Sequence, residues 1–194
     1  MNERFDRAME EFDAANRRDP RRLSVQGTRH PREMIFSRRV QDWVERLDAD
    51  ASEGVRLAAR AHTLRRWEIP RERYPRDTPG YHAWRKATAA HSARAAGEIL
   101  GRLGYPPETV DRVRRLITGE LFPSDPDAQL LEDADVLVFL EIKLSDYLGQ
   151  WKEAKTARIL QGTWAKMSPR ARRAARELSL DAGIRALIAR LPED

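Results

Sequence analysis

The stretch from Ala61 to Pro75 concentrates side chains that can do chemistry. One histidine, four arginines, two glutamates and two aromatic residues lie in this single run. It follows an apolar helical segment around Val55 and Ala58, and Pro70 stops the helix. A purely structural segment rarely carries so many charges beside a tryptophan and a proline. We therefore expect this stretch to form the rim of a pocket.

The arginines in and near this stretch are candidates for binding an anion, because a guanidinium group can fork onto a phosphate or a carboxylate. The expected substrate-binding residues are Arg65, Arg66, Arg71, Trp67 and Arg85. Two alternatives stay open: the arginines pair with acidic residues of the protein itself, and the tryptophans anchor the core. An arginine-rich surface composition is a further explanation for most of the basic residues.

Three side chains, His62, His91 and Asp135, lie near the apolar faces of predicted helices and suggest a metal site. Together they would suit iron, manganese or zinc. A divalent metal there would acidify a bound water for attack on phosphorus or carbon. Glu68 and Glu132 are the expected catalytic residues, acting as acid or base. The alternative is that each histidine is a hydrogen-bonded core residue.

The composition narrows the class of protein. The 194 residues include 35% charged residues and carry a formal net charge of +5, which indicates one soluble domain with a sizeable core. Cysteine is absent, so disulfides, thiol nucleophiles and cysteine-held zinc are excluded. The N-terminus does not read as a signal peptide, and no apolar run approaches membrane-spanning length. We expect a cytoplasmic protein.

The spacing of apolar residues predicts an all-α fold, because no alternation is long enough for a strand. The predicted helices cover about 5–15, 32–47, 81–103, 108–118, 127–148, 151–164, 168–178 and 181–191, with a polar loop at 21–31. Between residues 47 and 81, a third helix is expected to begin at Ser52, to carry Leu64 on its apolar face and to stop by Pro70.

The predicted helix at 127–148 is apolar around most of its circumference and should be buried. It nevertheless carries four carboxylates, those of Glu132, Asp133, Asp135 and Glu141. A buried carboxylate needs a cation, a metal or hydrogen-bond donors. Arg65 and Arg71 are possible partners for three of them, Asp133, Asp135 and Glu141.

Three segments of the chain resemble the HD-domain superfamily: Leu57–His62, His91–Leu100 and Leu131–Leu137. The resemblance covers about 32–148 and implies an HD-like helical bundle with a metal-dependent hydrolase site. The chain departs from the superfamily's pattern at two positions. Ser37 stands where the first metal-binding histidine should be, and Thr63 replaces the paired aspartate. Either an altered set of residues holds the metal, or the fold keeps a pocket without one.

A closer resemblance is to DUF4202, a family without an established activity. The motifs that carry it are Phe5-Asp6-Arg7-Ala8, Phe12–Asn16, Arg65–Arg71 with Tyr74-Pro75, Gly80-Tyr81, Trp84-Arg85, Leu131–Asp133, Val138–Glu141, Trp164 and Met167–Pro169. They span the whole chain, which we expect to be a single domain over 1–194. Its HD-like core would cover about 32–148, with a C-terminal helical extension at 151–191.

These observations favour an HD-like metal-dependent hydrolase that acts on a small phosphorylated or nucleotide-like anion. The second hypothesis is a non-catalytic protein on a degenerate HD-like fold that binds a small anion or has a regulatory role. Nucleic-acid binding is less favoured, since acidic residues are interspersed among the basic ones and no nucleic-acid motif is present.

Overall fold

The computed structural model describes residues 3–25, 27–144 and 153–192. The predicted all-α fold is confirmed, since helices make up most of this part of the chain. The α-helices are α1 (Glu3–Asn16), α2 (Arg32–Leu47), α3 (Glu53–Ala61), α4 (Thr78–Arg102), α5 (Pro107–Thr118), α6 (Pro126–Val138), α7 (Glu153–Trp164), α8 (Pro169–Arg176) and α9 (Ala182–Ile188). Trp151, the first residue of the predicted seventh helix, lies outside the described residues.

The segment predicted as a polar loop at 21–31 contains a β-hairpin instead. Strand β1 (Arg22–Val25) pairs antiparallel with β2 (Thr28–Pro31), so that Leu23 lies opposite His30. Gly27 adopts a left-handed conformation in the turn, with φ +80°. Each strand has four residues and is largely exposed. Such short, polar strands do not show the alternation of apolar and polar residues by which a strand is recognised in a sequence.

Helix α2 has the predicted bounds, and its apolar stripe explains why. Phe36, Val40 and Val44 are buried, and the helix packs against α3 and α6. The stripe continues up to the end of the helix, and Pro31 fixes the residue before its start. For α2, the apolar pattern of the sequence and the packing in the structure therefore define the same buried face.

Helix α3 begins as predicted, with the Ser52 hydroxyl accepting a hydrogen bond from the Val55 amide, but it ends at Ala61. The chain then turns because Arg65 adopts a left-handed conformation with φ +56°. The buried Asn16 side chain accepts a hydrogen bond from the Arg65 amide at 3.1 Å. Two short 3₁₀ helices, Arg66–Glu68 and Arg71–Arg73, follow. The predicted continuation of α3 toward Pro70 is wrong, because this contact to α1 is not local in sequence.

Helix α6 is buried as predicted, but it becomes a π-helical turn at Phe139–Lys143. Its fully buried Asp133 accepts hydrogen bonds from the Ser168 hydroxyl and amide and from Gln129. Ser168 also caps α8 by accepting from the Ala171 amide. The expected need of a buried carboxylate for donors is met here by α8 and by α6 itself.

A second buried carboxylate, Asp13, joins the first three α-helices. Its oxygens accept hydrogen bonds from Arg38 of α2 and from Arg60 of α3, with Nε–Oδ distances of 3.0 and 2.9 Å. The Asp13 side chain is 8% exposed and that of Arg60 is 15% exposed. This cluster fixes α1 against α2 and α3.

Glu141 forms an ion pair that gives the fold a testable pH dependence. Burial opposes its ionisation, but hydrogen bonds from Arg39 and Trp43 outweigh burial and hold its pKa below the ordinary value. A depressed folded-state pKa stabilises the protein above the unfolded-state pKa of about 4.3, and this stability is lost as the pH falls through the folded-state value.

We expect Glu141→Gln to lower the free energy of unfolding by about 1 kcal/mol at pH 7 through the loss of charge-assisted hydrogen bonds. The difference should shrink as the pH is lowered below about 4, because protonated glutamate and glutamine are then alike in charge. Urea denaturation at several pH values measures it. A difference that stays constant from pH 7 to pH 3 would contradict this assignment.

No described helix combines the length and the apolar character needed to cross a membrane. The single-domain organisation, with its core and extension, stays a prediction.

Candidate functional site

The structure brings two of the three predicted metal ligands together. His62 follows the last residue of α3 and Asp135 lies on α6, and these two helices pack against each other. The His62 Nε2 atom is 3.2 Å from the Asp135 Oδ1 atom. Their side chains are 14% and 15% exposed, so the pair is only partly shielded from solvent.

The second ring nitrogen of His62 lacks a partner. Its Nδ1 atom is buried and makes no hydrogen bond to the described residues. The Nε2 atom lies within ion-pair distance of Asp135 Oδ1, without the geometry of a hydrogen bond. A buried polar atom without a hydrogen bond costs free energy, so His62 is more than a satisfied core histidine.

The His62–Asp135 pair opens into a cleft of about 310 Å³, which we call the His62 cleft. Its other polar lining comes from Arg85, Lys86 and Glu132, and its apolar wall includes Leu116, Ile117, Phe122 and Leu131. Arg85 Nη1 lies 3.9 Å from Asp135 Oδ2. Burial opposes the charge of Arg85, but Asp135, Tyr81 and Glu132 outweigh it and raise its pKa. The cleft combines two cations, two carboxylates and a histidine.

His91, the third predicted metal ligand, pairs with another residue. Its Nε2 atom is 3.0 Å from Glu68 Oε2, and Arg94 donates a hydrogen bond to its Nδ1 atom at 2.9 Å. Among the described residues, no group of three or more histidines and acidic residues is arranged to hold a metal. The expected set of His62, His91 and Asp135 is therefore split into a His62–Asp135 pair and a His91–Glu68 pair.

Glu68 is held in its ionised form. Burial raises its pKa, but hydrogen bonds from Arg65 and His91 outweigh burial and hold the pKa below the ordinary value. A carboxylate in this state can accept a proton more readily than it can donate one. Glu132, the other predicted catalytic residue, lines the His62 cleft and pairs with Lys166 at 3.1 Å.

The predicted substrate-binding arginines have different surroundings. Arg65 pairs with Glu68, and Arg71 donates to the carbonyl oxygens of Tyr74 and Pro75, so both support the local chain. Their expected alternative partners on α6 have other contacts: Asp133 with Ser168, Asp135 with His62, and Glu141 with Arg39.

Arg66 is the exception among these arginines. Its guanidinium carbon lies 4.5 Å from the centre of the Trp84 ring. The Arg66 side chain makes no hydrogen bond or ion pair with the described residues, although its backbone amide donates to the Thr63 carbonyl. Burial lowers its pKa, and Arg85 lowers it further, against the opposing charges of Glu33 and Asp135. A half-buried cation without an ion-pair partner favours a nearby anion.

Trp84 and Ser37 have structural contacts, and the Thr63 hydroxyl does not. Trp84 donates a hydrogen bond to the Ile69 carbonyl, and both Trp67 and Trp84 are half-buried. Ser37 is buried and donates to the Met34 carbonyl, while the buried Thr63 hydroxyl has no hydrogen-bond partner in the described part of the chain. Trp84 therefore anchors the segment that carries Arg66 to α4.

Sequence reasoning missed Lys86, Asn16 and Glu33. Lys86 follows Arg85 directly and lines the same cleft, so its position beside a candidate residue was a usable signal. Asn16 holds the Arg65 amide, and Glu33 acts electrostatically on Arg66. Neither contact has a sequence signature, since each joins residues more than 30 positions apart.

A larger cleft of about 470 Å³ lies near Arg4, Tyr105 and Arg112. Its charged groups satisfy one another: Tyr105 donates to Glu53, and Arg112 pairs with Asp125 and Asp127. It holds none of the predicted site residues and no histidine. The His62 cleft is the stronger candidate for chemistry, because it contains a histidine–carboxylate pair with an unsatisfied nitrogen.

Comparison with known proteins gives a family but no activity. The family model described as "Domain of unknown function (DUF4202)" matches residues 6–188. No curated protein and no solved structure matches the chain. The similarity to the HD-domain superfamily stays a prediction.

Proposed function

The chain belongs to the DUF4202 family, a domain of unknown function, and from that premise we propose that it hydrolyses a small phosphorylated anion in the His62 cleft. The observation that carries the proposal is the His62–Asp135 pair, at 3.2 Å, in a cleft that Arg85 and Lys86 also line. A histidine–carboxylate pair can accept a proton from water, and two neighbouring cations can hold a phosphoryl group.

The charges of the cleft favour hydrolysis over simple binding. Asp135 and Glu132 place two carboxylates in the lining beside the cations Arg85 and Lys86. Carboxylates repel a bound anion, so a site selected only for affinity would not be expected to contain them. They are explained if Asp135 orients His62 and if negative charge near the reacting atoms helps to withdraw a proton from water.

Each residue then has one role. Arg85 and Lys86 bind the phosphoryl oxygens, and the charge of Asp135, 3.2 Å from Nε2, stabilises His62 once it is protonated. The His62–Asp135 pair takes a proton from a water in the cleft, and the oxygen of that water attacks phosphorus. The bond from phosphorus to the leaving oxygen breaks, and the proton held by the pair passes to that oxygen, directly or through water, as the alcohol departs. The cleft volume of about 310 Å³ suits a small substrate.

A divalent metal fits this cleft only in part. Ligand atoms about 2.1 Å from one ion lie roughly 3.0–3.4 Å apart, and the His62–Asp135 separation of 3.2 Å is compatible with this spacing. A third protein ligand is not in place among the described residues. Iron, manganese or zinc held there by His62 and Asp135 would polarise the phosphoryl group. An ion held by these two atoms would take the place of the direct His62–Asp135 contact, while Arg85 and Lys86 would keep their role.

A second candidate function is binding of a small anion without turnover. It is favoured by the half-buried Arg66, which has no ion-pair partner among the described residues and lies within electrostatic range of Arg85. On this reading the cleft and its arginines serve recognition, and the His62–Asp135 pair is a structural contact.

The Arg85→Ala variant tests the proposed site. We expect its KM for phenyl phosphate to rise about tenfold to a hundredfold, because a charge-assisted contact to the phosphoryl group is removed. Release of inorganic phosphate is measured with protein purified without a tag or chelator. Assays are run with and without added Mn²⁺, Fe²⁺ or Zn²⁺, and elemental analysis reports any bound metal.

Arg73→Ala is the matched control, since Arg73 is exposed and its side chain makes no hydrogen bond or ion pair with the described residues. It should leave KM unchanged. The proposal fails if wild-type protein releases no phosphate from phenyl phosphate or other small phosphomonoesters under any of these conditions. It also fails if Arg85→Ala and Arg73→Ala behave alike.

A further inference from the structure

An exposed aromatic ring lies beside the His62 cleft. Tyr81 is 43% exposed, and Val25 is the other large hydrophobic residue exposed in the described part of the chain. Tyr81 lies on the first turns of α4, four residues before Arg85. Residues four apart share a helix face, and Arg85 lines the cleft. The Tyr81 ring is therefore next to the cation that is proposed to bind the phosphoryl group.

Tyr81 belongs to a cluster of rings and guanidinium groups, which we call the Tyr81 platform. Its ring centre is 5.9 Å from that of Trp84, at a tilt of 45°. Arg71 lies 6.0 Å from both ring centres, and Arg66 lies 4.5 Å from the Trp84 ring. Trp84 is fixed by its hydrogen bond to the Ile69 carbonyl. The platform thus has a rigid base and an exposed outer ring.

This arrangement is suited to a planar group that carries negative charge. An aromatic ring offers its face to another ring whatever the substituents, and guanidinium groups stack on or beside such rings. Tyr81 supplies the open ring, while Arg66 has no ion-pair partner in the described structure. An aliphatic phosphate would use the cations but leave the exposed part of the Tyr81 ring in solvent.

We propose that the ligand of the His62 cleft carries an aromatic ring that stacks on Tyr81 while its phosphoryl group binds Arg85. This rests on the proposed function, which it narrows from small phosphorylated anions to those with an aromatic group near the phosphate. Aryl phosphates and nucleoside monophosphates share this chemistry. They differ in the length of the link between ring and phosphate.

Non-hydrolysable ligands test the proposal without turnover. Isothermal titration calorimetry compares phenylphosphonate with methylphosphonate, which carries the same anionic group without the ring. We expect phenylphosphonate to bind wild-type protein about tenfold more tightly, in keeping with the usual gain from one stacked ring. Tyr81→Leu should remove most of this advantage, so that the ratio of the two affinities falls toward one; the ratio is the readout, because Tyr81 also acts on Arg85 and its loss can change both affinities together. Adenosine 5′-monophosphate, titrated in parallel, separates a nucleotide source from a simple aryl phosphate.

Tyr74→Leu is the matched control, because the Tyr74 ring makes no stacking or cation–π contact with the described residues. It should keep the full preference for phenylphosphonate. Equal affinities for the two phosphonates in wild-type protein, or an undiminished preference in Tyr81→Leu, would overturn the inference. If Arg85→Ala also leaves methylphosphonate binding unchanged, the proposed phosphoryl site fails as well, which distinguishes the two failures.

Discussion

The Asp135→Asn protein is expected to fold and to lose about 10²- to 10⁴-fold of its turnover of phenyl phosphate, the usual range for general acid–base catalysis. Asparagine has nearly the same shape and fits the same space beside His62. It removes the negative charge that stabilises His62 after it takes a proton. The effect should fall on kcat more than on KM, because Arg85 and Lys86 remain.

The same variant separates the two candidate functions by its effect on turnover, because both predict an unchanged or higher affinity for a bound anion. If the cleft only binds anions, removal of a carboxylate 3.9 Å from Arg85 leaves methylphosphonate affinity unchanged or increases it, and there is no turnover to lose. His62→Ala should lower turnover in parallel with Asp135→Asn. Asp111→Asn, at an exposed position of α5, is the control. Full turnover in either site variant would remove His62 and Asp135 from the mechanism.

The Asp13→Ala protein is expected to lose about 3 kcal/mol of unfolding free energy, the largest effect on stability that we predict. Loss of one partner of a buried ion pair costs about 3–5 kcal/mol. Here the cost is at the low end, because Arg38 is 46% exposed and can be solvated. Arg60, at 15% exposure, is left without its carboxylate among α1, α2 and α3.

Urea denaturation followed by circular dichroism measures the Asp13 effect. Asp6→Ala is the matched control, since Asp6 is an exposed aspartate on the same helix. It should change the free energy of unfolding by less than about 0.5 kcal/mol. If Asp13→Ala and Asp6→Ala differ by less than about 1 kcal/mol, the Asp13 cluster does not hold the three helices together.

Local patterns predicted much of the fold because several helices carry their own boundary signals. Arg32–Leu47 was predicted at both ends from its apolar stripe, which follows the polar loop at 21–31. The end of α3 was not, since Leu64 continues the apolar spacing and the turn at Arg65 depends on Asn16, 49 residues earlier. The hairpin at 22–31 was missed because four-residue exposed strands leave no periodic signal.

The candidate site was predictable where it depends on buried helices. His62 and Asp135 lie near the apolar faces of α3 and α6, so the packing of these helices brings them together. His91 was expected beside them, but the 3₁₀ helix at Arg66–Glu68 puts Glu68 within 3.0 Å of its ring. The path of that segment depends on tertiary contacts, including that of Asn16, which no spacing rule reveals.

Helix α6 carries two aspartates, separated by one residue, of which one contributes to folding and the other to the proposed activity. Asp133 is buried against Ser168 of the α8 cap, whereas Asp135 faces His62 and the cleft. In a survey of substitutions along this helix, changes at 133 would reduce the amount of folded protein. Changes at 135 would instead reduce the activity of each folded molecule. Abundance and specific activity must therefore be scored separately here, since an assay of their product would merge the two positions.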